Sequence, residues 1–455
     1  MKDNNNKNNN KNKNIKKGKD SKSSINGVAV VVLGDIGRSP RMQYHALSIA
    51  KADETRNRVS FIGYNESIPH PLVRQQSNIT IRPLKPFPAI RNSKLLWPIL
   101  AVCKVLFQIF QLLYVLLFLV PKPLNTVLVQ SPPAIPTTFV LQIVCWLRGA
   151  KLIIDWHNLG YTILQLSTRK PVTHPIIKLA KFIERYFGRK AYAHLFVTET
   201  MKDELSKDWK LEGQKFVLHD KPAPIFKALE KEERLSFLGH FESKYASSIS
   251  SETSKFLRLA REGKAAIGIS STSYTPDEDF GILLSALHSY DLKTTPLPGV
   301  KVTLPKLLFF ITGKGPDQQM YIEVLKKLKL INTNVCMVWL DSEDYPKLLA
   351  CADVGVSLHK SSSGIDLPMK VVDMFGCCVP ALALEFKCIH ELVKDNVNGF
   401  TFKDYKELEG LFAKTLTDYP NPHHLNRLRQ NLIDARPNNT WEIEWETIKP
   451  LFLIN

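Results

Sequence analysis

From Val28 onward the chain alternates between short, unbroken apolar runs and longer stretches whose apolar residues recur every three or four positions. The first kind reads as strands buried on both faces, the second as amphipathic helices. Val28 to Leu33 is rich in β-branched residues and ends at Gly34-Asp-Ile-Gly37, which predicts a parallel strand, a tight turn and a helix over 39–52. Further strands are predicted at 59–64, 79–83, 126–130, 151–156, 194–198 and 215–219, with helices at 136–148, 174–190 and 200–208. From about 226 to 261 the pattern gives way to Ser, Glu and Lys around one helical patch. A second series follows, with strands at 265–271, 307–312, 335–340, 353–358 and 380–384 and helices at 277–290, 316–329, 344–351 and 368–375. Alternation of this kind implies an α/β architecture of two Rossmann-like domains facing a central cleft. The predicted boundaries are a tail at 1–25, a domain at 26–222, a variable linker or insertion at 223–263, and a second domain at 264–455. In open parallel sheets ligands bind beyond the carboxyl ends of the strands, so chemistry is expected there.

One run breaks the rhythm. Leu95 to Val120 is long and apolar enough to span a bilayer, yet its interior polar residues Lys104, Gln108 and Gln111 fall on one stripe of a helix. The strands before and after it should share a sheet, and a single crossing would separate them. The expectation is therefore a membrane-associated helix that lies in the interface or re-enters it, with a buried core helix as the alternative. Lys85, Arg91, Lys94 and Lys122 flank it, as an anionic surface would favour.

Charge narrows the partners. The 455 residues carry a net +18, of which residues 1–24 supply eight Lys against two Asp. That Asn/Lys-rich tail has almost nothing apolar and is expected to be disordered. A basic chain suits a polyanion, but no zinc-finger spacing, RNP aromatic motif or basic zipper appears, so nucleic acid is not an expected partner. Seven cysteines without a C-x-x-C pair, most of them in apolar runs, suit a reducing compartment.

Three strand ends carry candidate chemistry. Gly34-Asp-Ile-Gly-Arg-Ser-Pro-Arg41 follows the first strand and opens a helix. Gly34 and Gly37 let a bound group approach the backbone, while Arg38 and Arg41 add charge for a phosphate. Gly313-Lys-Gly315 repeats the logic in the second half, with Lys314 between two glycines at a strand end. In Ser361 to Pro380, SSSGIDLPMKVVDMFGCCVP, Pro368 is preset for a first helical turn and puts Lys370 and Asp373 on one face. A nucleotide sugar asks for such a mixed pair, a cation for its diphosphate and a carboxylate for its ribose hydroxyls. Gly376 would permit close packing beneath.

That stretch resembles the donor-site motif of two-domain (GT-B) glycosyltransferases. Taken with ITGKGP, SSTSYTPDEDF, IDWHNLGY and VLGDIGRSPRMQYHA, the chain from about 26 to 453 resembles the β-1,4-mannosyltransferases that add the first mannose to dolichol-diphosphate-linked chitobiose. The resemblance implies GDP-mannose as donor, inversion at the anomeric carbon, and the cytosolic face of the endoplasmic reticulum membrane. Other early dolichol-pathway transferases are the implied protein partners. The first domain would take the acceptor and the second the donor. Asp373 would bind ribose and Lys370 would lie near the donor phosphates, with Gly313, Lys314 and Gly315 framing them and Thr272 and Ser273 bonding the diphosphate. The chain departs from the commoner glutamate-x7-glutamate pattern. Ile365 takes the earlier position, and Asp366 is the nearby acid.

Inverting transfer needs a base for the acceptor hydroxyl. His157 of Asp155-Trp-His-Asn158 is one candidate, with Asp155 orienting it and Asn158 on the acceptor side; Asp35 in the first turn is a rival. Asp277-Glu-Asp279 mimics a metal-binding D-x-D but reads as acids at a helix start, and no metal or other cofactor is expected. A catalytically silent membrane scaffold, or a transferase using another nucleotide sugar, are the alternative functions. The aromatic spacing of 441–453 predicts a helix, with packing across the hinge as one role and core packing as the default.

Overall fold

The computed structural model describes residues 24–88, 97–275, 278–295 and 304–454. The disorder expected of the tail concerns residues that lie almost wholly outside this set, as do Asp277 and the first residues of the apolar run. Seven parallel strands form the first sheet: β1 (Asn26–Asp35), β2 (Asn57–Tyr64), β3 (Ile79–Leu84), β4 (Thr126–Ser131), β5 (Lys151–Trp156), β6 (Lys190–Phe196) and β7 (Glu212–Val217). Six more form the second: β8 (Ala265–Thr272), β9 (Lys306–Gly313), β10 (Thr333–Val338), β11 (Val354–Ser357), β12 (Ala381–Leu384) and β13 (Gly399–Phe402). Their orders are 3-2-1-4-5-6-7 and 10-9-8-11-12-13, two doubly wound sheets whose order reverses beside β1 and β8.

Burial explains the apolar runs. Val28 to Val32 are almost inaccessible, because helices cover both faces of the sheet. On one face, Ala29, Val31, Val127, Val129 and Ile154 pack with Leu112, Val115 and Leu116 of the long apolar helix. That helix runs over Trp97–Tyr114 and continues as a wider turn over Val115–Leu119. Arg148 fastens its end by donating to the carbonyls of Leu116, Leu117, Val120 and Pro121. β1 pairs directly with β4, so the strands on either side of the helix do share one sheet.

Two predicted boundaries need correction. The supposed linker at 223–263 contains helices Lys231–Lys244 and Ser251–Arg261, whose Phe237, Leu238, Phe241, Phe256 and Leu257 complete the second domain's core. Their exposed faces are so rich in Ser, Glu and Lys that the buried positions were hard to see. The end of the chain does not stay in the second domain either. Trp441, Trp445, Ile448, Leu451 and Phe452 cross back and pack with Val28, Val30 and Met42 on the other face of the first sheet. Asn26 Nδ2 pins them by donating to the Phe452 carbonyl at 2.7 Å.

Candidate active site

The cleft forms where the carboxyl ends of both sheets meet. Arg38, Arg41, Tyr44, Gln130, His157, Asp220 and Lys221 from the first domain line one cavity of about 520 Å³ with Asp366, Leu367, Met369 and Asp373 from the second and Trp441 from the crossing segment. That volume suits a drug-sized or nucleotide-sized ligand.

His157 follows the end of β5, and its N–H donates to the Ser131 carbonyl of β4. Its side chain meets a network centred on Asp155, which is fully buried. Arg41 donates to both Asp155 oxygens at 2.8 and 2.9 Å, His45 Nε2 lies 3.1 Å from Oδ2, and His157 Nε2 lies 2.8 Å from the same oxygen. Burial opposes the ionised form of Asp155, but Arg41 and His157 outweigh it and hold the carboxyl well below its usual range. An ionised carboxylate only accepts, so both histidines carry hydrogen on Nε2. The Trp445 indole confirms the tautomer of His45 by donating to its Nδ1 at 3.2 Å. His157 is thereby left with Nδ1 as its remaining ring nitrogen, on a side chain that lines the cavity. Burial lowers the pKa of His45, which keeps that ring neutral.

The arrangement reassigns several expected roles. Arg41 is buried and makes four hydrogen bonds, to Asp155, Asp220 and the Leu218 carbonyl, so it organises the site and has little left for a phosphate. Asp35 accepts from the backbone of Gly37, Glu66 and Ser67, and these bonds outweigh burial to lower its pKa. Its carboxyl holds a loop together and is outside the cavity lining. Gly34 lies in the last residues of β1 and Gly37 in the turn after it, where Gly37 presses against Ser67 so closely that a Cβ would sit 2.6 Å from its carbonyl oxygen. Asn158 accepts from Leu159 N at 2.6 Å at the start of the next helix. Arg38 alone of the turn's cations stays largely exposed at the cavity rim.

In the second domain, helix Met369–Gly376 starts behind Pro368 as expected. Asp373 faces the cavity, and burial pushes its pKa up to about 7. Across the cleft, Tyr44 is raised to about 12 by burial first and by the nearby Asp373 charge second. Lys370 turns away to pair with Glu278, so the two charges do not form one mixed-sign face. Glu278 was missed in the sequence, where its stretch reads only as a helix start. It is almost fully buried and accepts from Thr272 Oγ1 at 2.6 Å and Ser273 N at 2.9 Å. The Thr272 hydroxyl, which also accepts from Tyr274 N, is therefore engaged inside the protein. Gly313 and Gly315 allow the neighbouring loops to touch: a Cβ at either would lie within 2 Å of the Thr272 or Ser273 carbonyl oxygen. Lys314 sits over the Trp339 ring. Asp366 accepts from Ser361 and Ser363, which ties down the serine-rich loop at the cavity wall. Asp279 caps the helix that begins at Phe280, as a helix-start acid should. The signal for His45 was available, since Arg41 and His45 are four apart on one helix face and both turn inward.

Two facing Rossmann-like domains with the ligand site between them define a GT-B glycosyltransferase. A model of the glycosyl transferases group 1 family matches residues 260–433. Solved structures agree on the fold: a sucrose-phosphate synthase from Thermosynechococcus elongatus superposes over 94% of this chain and 98% of its own with TM-score 0.61 at 12% identity. Anabaena HepE in complex with UDP and glucose covers 94% of this chain and 100% of its own, with TM-score 0.59 at 14% identity. Curated relatives give the particular family. A chitobiosyldiphosphodolichol β-mannosyltransferase of Dictyostelium discoideum is 54% identical over 94% of both chains, and the Homo sapiens protein of that name is 40% identical over 94% of this chain and 92% of its own. An Arabidopsis thaliana relative, 38% identical over 93% of this chain and 96% of its own, carries the name UDP-glycosyltransferase TURAN. This chain belongs to the chitobiosyldiphosphodolichol β-mannosyltransferases, and it is a mannosyltransferase.

Proposed function

We propose that the chain transfers mannose from GDP-mannose to chitobiosyl diphosphodolichol with inversion, at the cytosolic face of the endoplasmic reticulum membrane. In this reading the acceptor hydroxyl oxygen forms a bond to the anomeric carbon as the bond from that carbon to the donor phosphate breaks. His157 Nδ1 takes the acceptor proton, and the electron pair leaves with GDP. Asp155 holds the ring in the tautomer that frees Nδ1, while Arg41 and His45 hold Asp155. Asp373 accepts from ribose. Arg38, exposed at the cavity rim, supplies positive charge for the departing diphosphate, a role for which no metal is invoked. The observation that carries the reading is that His157 and Asp373, from opposite domains, line one cavity.

The test is to incubate the membrane-bound protein with GDP-mannose, UDP-glucose or UDP-N-acetylglucosamine and a chitobiosyl diphosphate lipid, with and without EDTA. Product from GDP-mannose alone, undiminished by EDTA, is the expected result. The name of the Arabidopsis relative makes the UDP-sugars the relevant competitors. Product from a UDP-sugar would overturn the donor, and donor binding without any product would favour a silent scaffold.

A further inference from the structure

The helices covering one face of the first sheet turn apolar side chains outward as well as inward. Helix Pro175–Gly188 packs on that face: Gly188 lies against the Trp156 ring, Gln142 donates to the Phe187 carbonyl, and the Phe139 and Phe187 rings meet edge to face at 5.1 Å. Its buried residues are Ile177, Glu184 and Gly188. At 100° per residue, Ile176, Leu179, Phe182 and Tyr186 fall on the opposite side of the helix. Phe182 and Tyr186 are 62% and 63% exposed, and their rings stack on each other in the open. A globular helix normally points charge in that direction.

The pattern extends to its neighbours. Helix Thr137–Arg148, which contacts both helix Pro175–Gly188 and the long apolar helix, exposes Phe139, Leu147 and Trp146, the last at 81%. Helix Gly160–Thr168 exposes Ile163 and Leu166, and the long helix exposes Ile99, Val102, Leu106, Phe110 and Tyr114 along one stripe. One layer of the domain therefore carries exposed apolar side chains on four helices that touch in series, a grouping that marks an interaction surface.

Charge identifies the partner. Between 160 and 190 the sequence holds seven basic residues against the single acid Glu184, which is buried; Arg189 and Lys190 pair with Glu212, which leaves Arg169, Lys170, Lys178, Lys181 and Arg185 as the cations of the patch. Apolar stripes flanked by cations fit the boundary between anionic headgroups and acyl chains. A protein partner of ordinary composition would not require five cations along the patch against one buried acid. We propose that helix Pro175–Gly188 and the exposed edge of helix Thr137–Arg148 form a second membrane contact, beside the long apolar helix, that lays this face of the first domain flat on an anionic bilayer. This contact is independent of donor and acceptor identity.

The test uses the full chain with Cys103→Ser, which removes the exposed native thiol, and Phe182→Cys labelled with an environment-sensitive fluorophore. A second label at Ile433→Cys, on helix His423–Ala435 of the other domain, serves as the reference. On binding vesicles of phosphatidylcholine and phosphatidylserine, the label at 182 is expected to shift to the blue and to be quenched by bilayer-borne quencher, while the label at 433 stays in water. Lys178→Glu with Arg185→Glu is expected to lower partitioning into those vesicles roughly tenfold at low salt, and to have little effect with phosphatidylcholine alone. Unchanged urea unfolding of that double variant would show that it folds. If the label at 182 stays aqueous while the protein is vesicle-bound, the proposal fails and the patch belongs to a protein partner. Equal partitioning of folded wild type and double variant would also overturn it.

Discussion

Asp373 shows how one buried carboxyl ties function to stability. Its pKa of about 7, against an ordinary 3.8, arises from burial, and the cation expected beside it is turned toward Glu278. The folded state therefore binds a proton more tightly than the unfolded chain, and wild-type stability falls as pH rises from about 4 to about 7. The size of that loss is on the order of 4 kcal/mol. Asp373→Asn removes the charge and keeps the shape. Its urea midpoint is expected to match wild type near pH 4 and to exceed it at pH 8, while mannose transfer falls sharply because the proposed ribose acceptor has been lost. A variant that is no more stable than wild type at pH 8 would show that Asp373 is not desolvated. The same residue illustrates what the sequence hid. That Lys370 and Asp373 start one helix behind Pro368 was readable, but the pairing of Lys370 with Glu278, ninety-two positions earlier in the chain, was not.

At the scale of elements, the segment 441–452 matters more than its position at the chain end suggests. It supplies Trp441 to the cavity wall, an Arg41–Trp441 cation–π contact, and the Trp445 indole that fixes His45. The chain Trp445–His45–Asp155–His157 thus runs from the last helix to the proposed base. Trp445→Phe preserves most of the packing and removes one N–H, leaving His45 Nδ1 buried without a donor, at a cost of about 1–3 kcal/mol. Turnover is expected to drop about tenfold with donor affinity unchanged, whereas His157→Asn, which removes the proposed base, should cost on the order of 10²–10⁴-fold. Equal turnover in Trp445→Phe and wild type would mean that His45 needs no help from the C-terminal helix. Strands were the legible part of the chain: 151–156 was read to the residue from its apolar core Leu152-Ile-Ile154, which burial on both faces requires, although Asp155 interrupts the run. The helices at 231–244 and 251–261 and the four-residue strand β13 were not, since each presents mostly polar surface or too few residues to show a period. The aromatic spacing of 441–453 did offer a helix across the hinge, but its packing against Val28, Val30 and Met42 is a long-range choice that spacing alone does not reveal.

Across the whole molecule, the two domains and the crossing segment meet at His219. This imidazole lies 3.5 Å from Glu391 of the second domain and 3.1 Å from Glu444 of the crossing segment. Glu391 also accepts from the Glu199 and Thr200 amides at the start of a first-domain helix, and Lys221 pairs with Glu444. Hydrogen bonds to Glu391 and Glu444 raise the His219 pKa to about 9, while both carboxyls are lowered to about 2. The acids are therefore ionised at every pH of interest, and the imidazolium is the member that titrates. Because its folded pKa lies above the ordinary 6.5, its contribution is complete below about 6.5 and is lost as pH rises through about 9. With the side chain a third exposed, solvent screening reduces that contribution to an order of 1–2 kcal/mol. His219→Gln keeps a hydrogen-bond donor without the charge. Its urea midpoint is expected to fall below wild type at pH 6 to 7, with the gap closing by pH 10. A gap that persists at pH 10 would assign the loss to shape, not charge. The charge clamps the back of the cleft that His157 and Asp373 line from opposite sides, so the donor KM of wild type should rise over the interval in which this stability is lost, and that of His219→Gln should already be high at pH 7.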